Sequence, residues 1–268
     1  MKRILSLCIL IAVLSLACSC RNGAQKHRTA ASPVEGAKAG LVAPKYAEGF
    51  RVSYTDAGCL VDIQDPLREE SQSFHYFLVP RGTDLYQVPE GYTVLEVPVD
   101  RVVCMTSLQL SNFICLGELD RVAGVTSTRH LFNPDMKQRL ADGRTQKIGI
   151  EGNFDNEVIL GLDPDVILIS PFKRGGYEAL RGVDIPLIPH LGYKEMTPLG
   201  QAEWIKFVGL LTGEGEKANR IFSEIEERYN SLKALTTDVS ERPVVVSGEL
   251  HGGNWYVGGG RSFLAQIF

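Results

Sequence analysis

The chain has no CxxC pair, no HExxH, no GxSxG, no GxGxxG and no GxxxxGK[ST] loop. Those absences remove the zinc-ribbon, thioredoxin, zincin, serine-hydrolase, dinucleotide and P-loop readings. Basic excess is also missing: 28 Lys and Arg stand against 32 Asp and Glu, a formal net charge of −4. With no basic face to neutralise phosphates, nucleic acid is not an expected partner. No nucleophile motif supports an enzyme, so neither catalysis nor a cofactor is expected. Beyond its first residues the chain has no apolar run long enough to span a bilayer. What remains is globular composition, 44% hydrophobic and 22% charged over 268 residues, enough for one large or two small domains.

The first twenty residues carry the strongest local signal. Lys2 and Arg3 form a positive start, Ile4 to Leu16 a short apolar run, and Ala17, Cys18, Ser19 and Cys20 follow. This pattern is that of a secretory leader and is too short for a comfortable span. It resembles a bacterial lipoprotein signal, in which the cysteine after cleavage is lipidated and anchors the protein to a membrane. Cys18 is the favoured site and Cys20 the alternative; Ser15, where that signal prefers Leu, is a departure. Residues 21–45, rich in Ala, Gly, Lys, Ser and Pro, read as a flexible tether. Cys59, Cys104 and Cys115 remain after the leader, an odd number, so at least one thiol has no partner within the chain.

Residues 46–97 read as a small antiparallel β-element, with strands at 50–54, 59–63, 74–79 and 92–97 separated by turn residues. From Pro98 the rhythm changes. Short apolar strands at 101–105, 122–125, 165–169 and 186–188 alternate with helices at 108–116, 157–162 and 177–180, the pattern of an α/β lobe over 98–198 with a parallel sheet. A helical connector occupies 199–236. A first run reaches Leu211, Thr212 and Gly213 break it, and a second runs from Glu214 to Leu235 with Ala218, Ile221, Phe222, Ile225, Tyr229 and Leu232 on one stripe. It reads equally as a spacer between two lobes or as a crossover helix within one sheet. Residues 243–247 begin a new strand, and 243–268 reads as the start of a second lobe, cut short by the end of the sequence.

In open parallel sheets, ligands meet the loops at the carboxyl ends of the strands. Those loops carry Arg129, His130, Phe132, Glu151, Phe154, Phe172, Lys173, Arg174, His190, Tyr193, His251, Trp255, Tyr256 and Arg261. The aromatics offer flat apolar area for a large planar ligand, and the cations suit carboxylate or phosphate. Phe154 and Phe172 also fit packing beneath their loops, Lys173 and Arg174 a solvated face, and Trp255 and Tyr256 a strand of a core. His130, His190 and His251 all follow strands on what reads as one sheet edge. Unrelated loop histidines are the first reading; the alternative is a Zn, Mn or Fe site completed by Glu151 or Glu249 if the lobes close on it.

Six segments, taken together and in this order, resemble one family. They are Pro98–Ser107 (PVDRVVCMTS), Leu116–Thr126 (LGELDRVAGVT), Ile148–Glu157 (IGIEGNFDNE), Leu162–Ser170 (LDPDVILIS), Thr197–Phe207 (TPLGQAEWIKF) and Trp255–Phe263 (WYVGGGRSF). The family is the substrate-binding proteins of ABC importers for iron–siderophore complexes, haem and vitamin B12. The resemblance implies two Rossmann-like α/β lobes joined by a long rigid helix, here with the second lobe incomplete and a small β-element at the N-terminus. It implies a chelate held between the lobes by Arg129, Phe154, Lys173, Trp255, Tyr256 and Arg261, and delivery to a permease docked through Glu157. Phe154 is displaced in register from the aromatic that cobalamin binders place before this helix. The implied location is extracytoplasmic, lipid-anchored to a membrane.

Overall fold

A computed structural model describes residues 41–68, 72–83, 87–126, 131–150, 153–171, 180, 182, 184–260 and 262–268. Cys18, Cys20, Arg129, His130, Glu151, Phe172, Lys173, Arg174, Arg261 and the helix expected at 177–180, apart from Leu180, lie outside them. Strands β1 (Phe50–Thr55), β2 (Gly58–Ile63), β3 (Phe74–Pro80) and β4 (Thr93–Val97) form one sheet in that order. Along β2, Cys59, Val61 and Ile63 are buried and their neighbours are not, the two-residue period of a strand with one face on a core. The expected all-antiparallel element holds for β1, β2 and β3 and is corrected at β4, which pairs parallel to β3. The connection from Pro80 to Thr93 is long enough to return the chain to the starting edge, which a tight hairpin cannot do.

The next strands are β5 (Val102–Cys104), β6 (Val122–Val125), β7 (Gln146–Lys147), the hairpin β8 (Gly149–Ile150) and β9 (Asn153–Phe154), then β10 (Val166–Ile169) and β11 (Leu187–Pro189). Between them lie α1 (Ser107–Leu116), α2 (Pro134–Ala141) and α3 (Asn156–Gly161). A five-stranded sheet runs β11-β10-β5-β6-β7, parallel at every pairing. Because strand side chains alternate, each strand feeds two cores. Val102, Cys104, Val166 and Leu168 point to one face, and Val103, Met105, Ile167 and Ile169 to the other. The first core also takes Leu110 and Phe113 of α1; the second takes Ile159 of α3, with Leu162 and Leu180. Phe50, Val61, Ile63, Tyr76 and Leu78 of the leading sheet join the first core. The leading strands are thus built into the lobe.

Helix α4 (Pro198–Thr212) starts at Thr197, whose side chain accepts from Gly200 N–H at 3.0 Å, and stops at Gly213. That glycine sits at φ 78°, a left-handed conformation that costs glycine little. Helix α5 (Gly215–Leu235) packs back on α4, with Ala218 against Gly209, where a Cβ would stand only 2.6 Å away. Of α5 only Ala218 and Phe222 are buried, so its far half projects from the lobe. The chain ends in β12 (Gly248–His251), β13 (Asn254–Val257) and α6 (Phe263–Ile267). The strand expected at 243–247 does not form. Val244, Val245 and Val246 are exposed, and among the described residues no neighbouring strand pairs with them to close the ladder.

One boundary moves. Residues 41–45 belong to the fold rather than to a tether: Val42 is fully buried, and its N–H donates to Tyr54 Oη at 2.6 Å.

Candidate functional site

The strand order reverses between β5 and β10. From β5 the chain leaves toward the first core through α1, and beyond β10 Leu180 lies in the second. Such a reversal is the place where open α/β sheets bind ligands, beyond the carboxyl ends of the two strands. The ends of β5 and β10 are pinned together there by Gln109. Its Oε1 accepts from the N–H groups of Met105 (2.7 Å) and Thr106 (3.0 Å), while its Nε2 donates to Ser170 Oγ at 3.4 Å. Thr106 in turn accepts from Gln109 N–H, completing a capping box at the start of α1. Thr126 Oγ1 donates to Met105 carbonyl at 2.9 Å and ties the end of β6 to that of β5. Ser107 is the exposed first residue of α1 and carries no acidic neighbour in that turn. These hydroxyls and amides were not among the sequence candidates. The signal was present: an apolar strand followed at once by Thr106-x-x-Gln109 marks a capped helix on a strand end.

The named candidates fall into separate places. Phe154 is half-buried in β9 and packs against the second core, so its ring serves packing as well as the edge. Asp155 caps α3 by accepting from Val158 N–H at 3.0 Å, which presents Glu157 exposed in the first turn, where a carboxylate suits the helix dipole. Trp255 and Tyr256 are both exposed in β13 but cross-pair differently, Trp255 with Leu250 and Tyr256 with Glu249. Neighbours in a strand point to opposite faces, so these two rings do not share one contact surface. Phe132 is 77% exposed after β6, with Lys137 Nζ 5.7 Å from its ring centre, the most open aromatic beyond a strand of the parallel sheet among the described residues.

Of the three candidate histidines, His130 lies outside the described residues, and His190 and His251 stand at strand ends in different sheets. His190 follows β11 but turns inward: it is buried, its ring centre lies 4.6 Å from that of Trp204, and its Nε2 is 3.0 Å from Asn112 Nδ2. Burial lowers its pKa to about 3, so the ring stays neutral. His251 ends β12 in a separate two-stranded sheet, its ring 6.4 Å from that of Tyr256. Among the described residues no three His, Cys, Asp or Glu side chains come together to hold a metal ion.

A family model for periplasmic binding proteins matches residues 102–268, the parallel sheet, the connector and the terminal hairpin together. The chain belongs to the periplasmic binding protein family. This is a family of binding proteins, not of enzymes. An uncharacterized lipoprotein of Methanocaldococcus jannaschii is 22% identical over 213 residues, 71% of this chain and 50% of its own length. The fold is similar to that of a periplasmic binding protein from Veillonella parvula (TM-score 0.51, 18% identity, 63% of this chain and 56% of that one). It is similar also to the petrobactin-binding protein of Bacillus subtilis (TM-score 0.50, 19% identity, 63% and 57%). At these identities the likeness is one of fold. The chain spans about half the length of the curated relatives it matches. Among the described residues no helix is long and apolar enough to cross a membrane.

Proposed function

We propose that this chain belongs to an extracytoplasmic, lipid-anchored solute-binding protein that captures a ferric siderophore, haem or cobalamin and passes it to an ABC importer. In this reading α4 and α5 join two α/β lobes, and β12, β13 and α6 open the second. The ligand lies between the lobes against the carboxyl ends of β5 and β10. The observation that carries the reading is the reversal of strand order inside a chain of the periplasmic binding protein family. Thr106, Gln109, Thr126 and Ser170 pin the strand ends there. The petrobactin-binding relative in fold and the lipoprotein relative in sequence support the ligand class and the anchor. Arg129, Phe154, Lys173, Trp255 or Tyr256, and Arg261 are the proposed ligand contacts, with Phe132 added. Glu157, held out by the Asp155 cap, is the proposed permease contact. Such a protein does no chemistry; its task is to bind the ligand more tightly in the closed state than in the open one.

Tryptophan fluorescence tests this directly, because the two indoles are unlike: Trp204 is fully buried and Trp255 is 61% exposed. Titrating the intact mature protein with ferric siderophores, haemin, cobalamin and bare Zn, Mn and Fe salts is expected to give saturable quenching by one chelate. The exposed-tryptophan share of that signal disappears in Trp255→Phe, and Trp255→Ala weakens binding about tenfold, the scale of a buried aromatic contact. Quenching by bare ions alone, or by nothing, would overturn the proposal. Glu157→Arg is expected to leave this titration unchanged and to abolish uptake through the reconstituted importer.

A further inference from the structure

Residues 41–49 cross both helices of the connector and are held there by their main chain. Glu203 of α4, fully buried, accepts from three successive backbone N–H groups: Lys45 (2.8 Å), Tyr46 (2.6 Å) and Ala47 (2.8 Å). Glu195, just ahead of α4 and also buried, accepts from the next two, Glu48 (3.1 Å) and Gly49 (2.9 Å), and from Trp204 Nε1 (2.9 Å). Lys206 Nζ neutralises Glu203 at 2.7 Å, donates to Ala43 carbonyl at 3.2 Å and lies 4.3 Å from the ring centre of Phe222 on α5. The strap also reaches α5 directly. Asn219 Nδ2 donates to Leu41 carbonyl at 3.0 Å, and Glu226 accepts from Tyr46 Oη at 2.6 Å and from Lys45 Nζ.

The reach along α5 is informative. Its last buried residue is Phe222, and Glu226 lies one turn further out. Past Phe222 the apolar side chains Ile225 and Tyr229 are only half-buried, and the strap adds its hydrogen bonds at Glu226. We propose that Leu41–Gly49 is a conformational clasp that fixes the direction in which α5 leaves α4, and so sets how a second lobe is presented to the first. The mechanical statement concerns α4 and α5 alone; its meaning for lobe movement rests on the two-lobe reading above.

Amide hydrogen exchange on the intact protein tests the clasp without any ligand. The double variant Asn219→Ala, Glu226→Ala removes the direct strap hydrogen bonds to α5 and leaves the Tyr46–Phe222 ring contact, 6.0 Å between centres, in place. Alanine raises helix propensity at both positions, so any propensity effect would slow exchange. The clasp requires the opposite. Amides 226–232 exchange about tenfold faster, the scale of losing one or two local hydrogen bonds, while those of β5 and β10 keep their protection. Arg220→Ala, which breaks the exposed Arg220–Glu216 pair on the same helix and touches no strap atom, leaves amides 226–232 unchanged. Unchanged exchange in the double variant, or equal acceleration in Arg220→Ala, would overturn the clasp. Neither result depends on whether a chelate binds, so this test and the fluorescence titration fail independently.

Discussion

Replacing Trp204 by alanine is expected to destabilise the protein by about 4 kcal/mol, the middle of the range for a large aromatic lost from a core. The indole is where the leading sheet, the connector and the end of β11 meet. Its ring centre is 4.9 Å from Phe50, 5.4 Å from Phe207 and 4.6 Å from His190, and its Nε1 donates to Glu195. The surrounding backbone cannot collapse to fill the hole, because Glu195 is already committed to the strap N–H groups of Glu48 and Gly49. A Cβ at Gly49 would stand 2.9 Å from the indole edge and one at Gly192 3.2 Å from its five-membered ring, so the wall was built around this side chain. Urea unfolding followed by far-ultraviolet circular dichroism measures the loss. Trp204→Phe, which keeps most of the volume and drops the hydrogen bond, is expected to cost roughly half as much. A Trp204→Ala loss below about 1.5 kcal/mol would mean that the two sheets do not share one core.

The second large effect is a dependence on acid. In the unfolded chain His190 takes up a proton below pH 6.5; in the folded protein, buried against Trp204 and Phe207, it does so only near pH 3. Between those values the unfolded state holds the extra proton. Stability is therefore full above pH 6.5 and falls as pH drops toward 3, by about 1.4 kcal/mol per pH unit from this one ring. In His190→Gln, with urea midpoints measured at pH 7 and pH 4.5, the acid loss is expected to shrink by roughly 2–3 kcal/mol relative to the parent protein. An identical acid loss in both proteins would show that the ring is solvated.

Much of the lobe is legible because it depends on local pattern. The apolar runs at 102–104, 122–125 and 166–169 are buried on both faces, which is what a central parallel strand demands. The break between α4 and α5 is legible at Thr212 and Gly213 because a left-handed residue ends a helix. Helix α2 was available from Asn133 and Pro134, a capping residue followed by proline at the first helical position, but its eight residues carry only Met136 and Leu140 as large apolar side chains. What the sequence does not disclose is direction and partner. Nothing local to β4 says that it runs parallel to β3, and nothing local to His190 says that its ring turns toward Asn112 and Trp204 rather than outward. The strap is the extreme case. Glu203 reads as an ordinary helical glutamate until a segment 156 to 158 residues earlier is laid across it.

That the two glutamates grip the strap by its amides has a consequence for engineering. A carboxylate bound to main-chain N–H groups does not read the side chains attached to them. Of the residues gripped in this way, Glu48 is therefore the one open to exchange, since Lys45 and Tyr46 also hold Glu226 through their side chains and Ala47 packs on the core. Proline is barred at each of those positions because it removes that hydrogen, although Pro44, one step earlier, sits outside the run without harm. Gly49, pressed against the indole of Trp204, marks where the freedom to rewrite the segment ends.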